Sequence, residues 1–326
     1  MERGPIFVAG LERSGTSLLY ALLASHPNIA MTRRTNLWTH FYGQYGDLED
    51  DGNLDRCLAT MMRYKRLRVL DPDVVRLRRD FVGGPRHDAR LFALLEEQYA
   101  QRVGRPRWGD KSLHTERWAV PILGSYPGSR ILHMIRDPRD RFASSRARWR
   151  LRRGGVGVGA AEWVRSARLA IRNQAAHPDR YRVVRYEDLV THPDEELRAL
   201  CEFVDEPYDV SMLAMTGAPR LLAQGGNSSY GPREPGVISR GSIGRYRSVL
   251  SSREIVFVER AARDEMAYLG YEPDGASLRA RDGLRYVVSL PVEGLRACAW
   301  RVREARHDRG GRPVPSYRLV DEVAPT

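Results

Sequence analysis

The chain is almost devoid of lysine: Lys65 and Lys111 are the only two among 53 basic residues, which leaves 53 − 2 = 51 arginines. Arginine carries the same charge but not the compact ammonium that can give up its proton and follow a moving oxygen. Chemistry that needs such an ammonium therefore has two possible places in this chain. Cysteine is scarce as well. Cys57, Cys201 and Cys298 are odd in number, far apart and outside any CxxC or Cys/His spacing, so neither a disulfide framework nor a zinc site is indicated. A reducing, cytoplasmic setting is expected. Long apolar runs are missing too. The first one, Pro5 to Leu11, is flanked by Gly4 and broken by Gly10, too short for a signal-peptide core and far too short for a membrane span.

What remains is a globular composition, 326 residues with 42% hydrophobic and 29% charged. That length suits one large domain with insertions, or one domain and a tail. The formal charge of +12 attracts polyanions of any kind, be they nucleic acid, an anionic membrane surface or phosphate-bearing small molecules. Most of it reads as solvated surface. The arginines are spread through the chain and the aromatics form no stacking pairs within one element, so a nucleic-acid-binding module ranks low.

Three strand-then-helix units are legible. Pro5–Gly10 is an apolar strand, followed by the loop Leu11–Ser17 and a buried helix Leu18–Ser25 that must stop near His26-Pro27. Arg130–Ile135 is a second strand, with a helix from Pro138 to about Arg150. Tyr181–Tyr186 is a third, followed by a helix from about Pro193 to Val204. Continuous apolar strands separated by helices imply an α/β fold in three layers, with a central, mostly parallel sheet of the P-loop nucleotide-kinase type. Helical patterns are also expected at Ala89–Arg102, 160–176 and 252–268. Residues 217–244 form a long Gly/Pro-rich loop, with Gly225-Gly226-Asn227-Ser228-Ser229, Gly231-Pro232 and Pro235-Gly236, that reads as a lid or a strap. The reading divides the chain into a domain at 1–273, carrying an insertion at about 36–105 that shapes the acceptor pocket, and a basic extension at 274–326 with a helix at 284–306.

Gly10-x-x-x-x-Gly15 between a strand and a helix is the shape of a phosphate-cradling loop. A nucleotide triphosphatase loop would continue with Lys and then Ser or Thr; here positions 16 and 17 are Thr and Ser. Arg13 and the hydroxyls of Ser14, Thr16 and Ser17 supply a cation and donors instead. The plain alternative is a glycine turn that only permits close packing. Arg136 leaves the second strand where ligands bind in such sheets, and Ser144 follows on the helix, although Arg136 paired with Asp137 or Asp140 would be unremarkable.

Taken together, Arg13-Ser14-Gly15-Thr16-Ser17 after a strand, Arg136-Asp137-Pro138-Arg139-Asp140 with Ser144, Tyr186-Glu187-Asp188-Leu189 after the third strand, and the strap Arg240–Arg247 resemble the motifs of sulfotransferases that use 3′-phosphoadenosine 5′-phosphosulfate. They occur in family order over residues 5 to about 270. The resemblance implies that Arg13, Ser14, Gly15, Thr16 and Ser17 hold the 5′-phosphosulfate, and that Arg136 and Ser144 hold the 3′-phosphate. Arg240 and Gly241 would close over that phosphate, with Tyr186 near the adenosine or packed under the sheet edge. No metal is implied; the product nucleotide is adenosine 3′,5′-bisphosphate. Lys111, in Trp108-Gly109-Asp110-Lys111-Ser112, resembles the family's catalytic lysine, the alternative being a surface lysine bonded to Asp110.

The acceptor's base is not where relatives keep it. Carbohydrate and tyrosylprotein branches place a glutamate shortly after the segment resembling Ser25-His26-Pro27-Asn28, where this chain has Arg33-Arg34. The aryl branch places a histidine two residues after the lysine, whereas here that residue is Leu113 and His114 comes next. His114 is the candidate base, with His40 and Glu116 behind it, and Arg13 is a further catalytic candidate. Arg33 and Arg34 read as a solvated loop, or as facing an anionic acceptor or the cofactor. The expected reaction is sulfuryl transfer to a hydroxyl or amine of a small molecule, glycan, lipid or peptide. The alternatives are an ATP-dependent small-molecule kinase, disfavoured by the missing lysine and the missing magnesium-binding acid, and a homologue impaired by the displaced glutamate. Oligomeric state and the role of 274–326 stay open.

Overall fold

A computed structural model of the chain describes residues 3–148, 155–219, 237–275, 278, 280–310, 314–315 and 318–320. Five strands form one sheet: β1 Ile6–Ala9, β2 Ile29–Arg33, β3 Arg107–Lys111, β4 Arg130–Ile135 and β5 Tyr181–Arg185. Their order is β2-β3-β1-β4-β5 and every neighbouring pair is parallel. The three expected strands are present as β1, β4 and β5, and two more flank them. β3 reads Arg-Trp-Gly-Asp-Lys yet is buried along its whole length. Its charges escape an apolar pattern because they are answered inside the fold: the Arg107 guanidinium lies 3.2 Å from Glu206, and Asp110 accepts from Thr32 at 3.1 Å.

Strand alternation sends successive residues to opposite faces. Ile6, Val8, Leu132 and Met134 pack with Leu19, Leu22 and Leu197 on one side; Phe7, Ala9 and Ile131 pack with Leu54, Met61 and Phe92 on the other. The first layer is built by α1 (Thr16–Ala24), α10 (Tyr186–Thr191) and α11 (Pro193–Phe203). The second is built largely by the expected insertion, with α2 (Leu37–His40), α3 (Asp51–Arg63), α4 (Lys65–Arg68), α5 (Val74–Val82) and α6 (Asp88–Arg102), followed after β3 by α7 (Ala119–Ser125). α8 (Pro138–Arg148) and α9 (Gly155–Ala176) follow β4; α9 begins five residues before the expected 160.

Of the loop at 217–244, only 217–219 and 237–244 are described, and the run Gly225-Gly226-Asn227-Ser228-Ser229, Gly231-Pro232 and Pro235-Gly236 lies outside the described residues. The expected helix at 252–268 is two helices, α13 (Ser252–Ala261) and α14 (Arg263–Tyr268), after the short α12 (Tyr246–Val249); Ala262 leaves the helical region at φ −117° and divides them. Ser251 and Glu254 form a capping box at the start of α13. The last helix, α15 (Ala280–Gly310), is longer than the expected 284–306 and lies against α9. Trp300 and Ala297 pack on Ala161, and Glu304 pairs with Arg117 at 2.6 Å and Arg165 at 3.3 Å. Beyond it Val320 donates its N–H to the Arg63 carbonyl at 2.9 Å, which brings the basic tail back onto the insertion.

Candidate functional site

The loop after β1 sits at the C-terminal edge of the sheet, with β1 between β3 and β4, where α/β proteins bind ligands. Gly10 (φ 121°) and Gly15 (φ 94°) occupy left-handed backbone that other residues resist. A Cβ on Gly10 would come within 2.5 Å of the Met134 carbonyl oxygen, and one on Gly15 within 2.5 Å of the Tyr186 ring. Between them Arg13 is also left-handed at φ 71°, a strained conformation for a residue with a long side chain and a mark of a loop shaped for something. Helix α1 opens at Thr16, and Gly15 at its N-cap supplies no side-chain cap. Ser14 is 1% exposed and its Oγ has no partner. A buried hydroxyl left without a hydrogen bond is costly, and beside a helix N-terminus it fits an anion.

Arg136, Ser144 and Arg13 lie together, although the resemblance assigns Arg13 to one end of the nucleotide and Arg136 with Ser144 to the other. Arg13 Nε donates to Ser144 Oγ at 2.9 Å, and Arg136 Nη1 donates to the Arg13 carbonyl at 3.2 Å. Tyr186 is 5% exposed, with the Arg136 guanidinium 4.5 Å from its ring centroid and Gly15 against its edge. Its position is therefore under the loop, stacking Arg136 into place. The remaining members of the Arg136–Asp140 motif brace the site. Asp137 binds Arg139 at 2.6 Å, Arg139 also reaches Glu259 at 2.5 Å, and Trp163 Nε1 donates to the Arg136 carbonyl at 2.8 Å.

The strap is anchored to this motif rather than lying free. Gly244 and Tyr246 donate their N–H groups to the two carboxylate oxygens of Asp140 at 2.7 and 2.9 Å, and Arg136 Nη2 donates to the Ser242 carbonyl at 2.6 Å. Arg240 and Gly241 are exposed. The structure does not bring the Arg240 side chain to Arg136: it donates to the carbonyl of Thr191 at the end of α10.

Lys111 ends β3 between Val8 of β1 and Arg33 of β2. It is 2% exposed, not the surface residue of the alternative reading, and strand alternation directs it away from Asp110. Burial first, then the nearby Arg34 and Arg33, push its ammonium down to about 7, against the pull of Asp110 and Glu12. Arg34, left-handed at φ 60°, donates its N–H to the Lys111 carbonyl at 2.8 Å. Burial and the charges of Arg33, Arg66 and Arg318 lower its guanidinium to about 10. Arg33 is half-buried with its Nε unpartnered, its guanidinium 5.7 Å from the Tyr20 ring centroid. Among the described residues no carboxylate lies within ion-pair distance of Arg33 or Arg34. Charges of one sign packed without counter-ions are destabilising unless an anion arrives.

Of the base candidates, His114 stands at the C-terminal edge with Nε2 3.9 Å from Glu12 Oε2. Glu116 lies deeper and is 1% exposed: it accepts the Gly10 N–H at 3.1 Å and the Ser166 hydroxyl at 3.0 Å. Burial alone would raise its carboxyl, but His133, His114 and Arg117 outweigh it and hold it below its usual value. His133 closes the chain, with Nε2 3.0 Å from Ser166 Oγ and Nδ1 2.7 Å from Tyr181 Oη. Glu116 is thus a support for the loop and not an acceptor base. His40 lies against the tail, its Nε2 3.2 Å from Arg318. Glu12 was passed over in the sequence because the loop pattern assigns it only a spacer; its place between His114 and Lys111 needs the loop's left-handed turn. Arg33 and Arg34 as members of the site were visible only as a pair, since their approach to Lys111 depends on β2 and β3 being neighbours.

The chain has recognisable relatives. The model of the sulfotransferase family matches residues 5–210. Protein-tyrosine sulfotransferase A of Caenorhabditis elegans is 25% identical over 215 residues, 64% of this chain and 51% of the relative. The protein-tyrosine sulfotransferase of Drosophila melanogaster is 22% identical over 215 residues, covering 39% of that protein. The chain spans about half the length of the first of these and less of the second. Two solved structures share the fold. The sulfotransferase domain of the Synechococcus PCC 7002 olefin synthase superposes with a TM-score of 0.56 at 20% identity, over 83% of this chain and 97% of that one. The sulfotransferase domain from the curacin biosynthetic pathway does so at 0.55 and 19%, over 83% and 99%. A family match across the whole sheet, together with a loop, a buried lysine and a second arginine in the family's order, leads to one assignment: this chain belongs to the sulfotransferase family.

Proposed function

We propose that the chain moves a sulfuryl group from 3′-phosphoadenosine 5′-phosphosulfate to a hydroxyl of an acidic acceptor, without a metal in the reaction. The observation that carries this reading is the pair of cationic groups at one sheet edge. The loop 13–17 and the Arg136–Ser144 pair are joined through the Arg13–Ser144 bond, with Lys111 buried beside the loop. Two anion-receiving groups suit a nucleotide with an anion at each end.

In this reading Arg13, Ser14, Gly15, Thr16 and Ser17 hold the 5′ end, Arg136 and Ser144 hold the 3′-phosphate, and Tyr186 fixes Arg136. Gly241 and Ser242 cover that phosphate through the strap, and Arg240 steadies the strap on Thr191. When bound, the donor supplies a sulfuryl group already activated by its bond to phosphate. Lys111 places its ammonium against the oxygen on which charge grows as that bond breaks. His114 takes the proton of the acceptor hydroxyl as the new S–O bond forms, with Glu12 stabilising the resulting imidazolium. The half-buried Arg33 and Arg34, with Arg66 on α4 behind them, favour an acceptor bearing a carboxylate, sulfate or phosphate near its hydroxyl. Relatives named as protein-tyrosine sulfotransferases support a tyrosine in an acidic peptide as the first acceptor to try. A reducing, cytoplasmic setting is part of the reading and is supported by three free cysteines, two of them buried.

A thermal-shift panel tests the donor. Adenosine 3′,5′-bisphosphate is expected to raise the melting temperature in EDTA, more than adenosine 5′-phosphate does. Stabilisation only by ATP with magnesium would favour a kinase and overturn the reading.

A further inference from the structure

Helix α15 has two apolar faces, and the fold uses one of them. Tyr286, Ala297, Trp300 and Glu304 recur at helical spacing and are all buried, so this side is the one laid against the body of the protein. On the opposite side Leu284, Val288, Leu295 and Val302 recur at intervals of four and seven residues, one stripe of an α-helix. They are 69%, 68%, 71% and 50% exposed. Val287 and Val292 widen the stripe and are exposed too. Six large aliphatic side chains on one helix face form the kind of patch that a soluble surface rarely leaves uncovered.

The charges around the stripe select what covers it. Arg285, Arg296 and Arg303 are exposed along one flank, and Arg301 and Arg306 are exposed near the C-terminal end. Among the described acids of the helix, Glu304 is buried in its ion pairs with Arg117 and Arg165, Glu293 accepts the Gly157 N–H at 2.8 Å and holds Arg296 at 2.7 Å, and Asp282 lies 3.9 Å from Arg253. A second copy of this face would bring arginine against arginine around the aliphatic stripe, so self-pairing is opposed. A surface apolar in depth and negatively charged at its rim answers both features.

We propose that the outer face of α15 docks the protein on an anionic membrane surface, the aliphatic stripe entering the headgroup boundary and the flanking arginines contacting acidic lipids. Nothing in this depends on the reaction proposed above.

The test is flotation of the full chain with phosphatidylcholine vesicles, with and without about 30% phosphatidylserine. Binding is expected only to the acidic vesicles and should fall steeply as salt rises from about 0.1 M to about 0.5 M. Leu284→Ser/Val288→Ser/Leu295→Ser should weaken it about tenfold or more, and Arg285→Gln/Arg303→Gln/Arg306→Gln likewise, with melting temperatures unchanged because these side chains are exposed. Cys298 is the exposed cysteine beside the stripe, and an environment-sensitive dye there should shift to the blue on acidic vesicles. Failure to float with acidic vesicles would overturn the proposal. So would undiminished binding by the aliphatic triple variant, or a concentration-dependent dimer that this variant abolishes.

Discussion

Lys111 is where residue-scale physics meets the reaction. Its ammonium titrates near 7 in the folded protein instead of at 10.5, because the site concentrates positive charge in a buried place. In the unfolded chain it keeps its ordinary affinity for protons. The buried lysine therefore costs stability in full below about pH 7, and the cost disappears as the pH rises toward about 10.5. At about 1.4 kcal/mol per unit, a Lys111→Met variant should be more stable than the parent by ~2 kcal/mol or more near pH 6, with the gap closing by about pH 10; denaturant melts across that range check it. A donor bringing negative charge should restore the proton. Calorimetry of adenosine 3′,5′-bisphosphate near pH 8 in buffers of different ionisation enthalpy is expected to show proton uptake, and uptake should vanish in Lys111→Met. The scarcity of lysine made this residue conspicuous in the sequence. Its burial was not legible there, because Arg-Trp-Gly-Asp-Lys resembles no strand until Glu206 and Thr32 are seen answering its charges.

Among the elements, the loop and the strap are the ones that carry the site, and each depends on a local anchor. Gly15→Ala would place a Cβ in left-handed backbone against Tyr186, at a cost of about 1 kcal/mol for the backbone alone and more for the clash. The variant is expected to fold less stably and to lose nucleotide binding, measured by thermal shift with and without adenosine 3′,5′-bisphosphate. Asp140 holds two N–H groups of the strap. Asp140→Asn removes one acceptor, so affinity for adenosine 3′,5′-bisphosphate should fall while affinity for adenosine 5′-phosphate, which lacks the group under the strap, changes little. Equal losses for both nucleotides would make Asp140 a general stabiliser of the fold instead. The Gly10 and Gly15 loop was readable because its glycines punctuate a strong apolar strand. That the Arg240 side chain turns to the Thr191 carbonyl was not, since a strap's side-chain directions depend on contacts far away in sequence.

At the scale of the whole molecule, the arginine excess divides into distinct jobs. Arg107, Arg136, Arg139 and Arg141 are each at most 4% exposed and knit strands to loops, while Arg33 and Arg34 face the sheet edge and Arg285, Arg301, Arg303 and Arg306 of α15 are exposed. A count of +12 contains none of that division. The parallel α/β architecture was legible from three apolar strands with helices between them. β2 and β3 were not, and with them went the neighbourhood of Lys111, Arg33 and Arg34. Charge pattern alone also left the tail's place open, because its packing on α9 is decided by Trp300, Ala297 and the Glu304 ion pairs.

Transfer of radiolabelled sulfuryl from 3′-phosphoadenosine 5′-phosphosulfate to a tyrosine peptide rich in aspartate, assayed in EDTA for the parent chain and for Lys111→Ala, tests the central claim most directly. The account predicts label on the peptide with the parent and a loss of at least about a hundredfold with Lys111→Ala, while both proteins are still stabilised by adenosine 3′,5′-bisphosphate. Undiminished transfer by Lys111→Ala would contradict it.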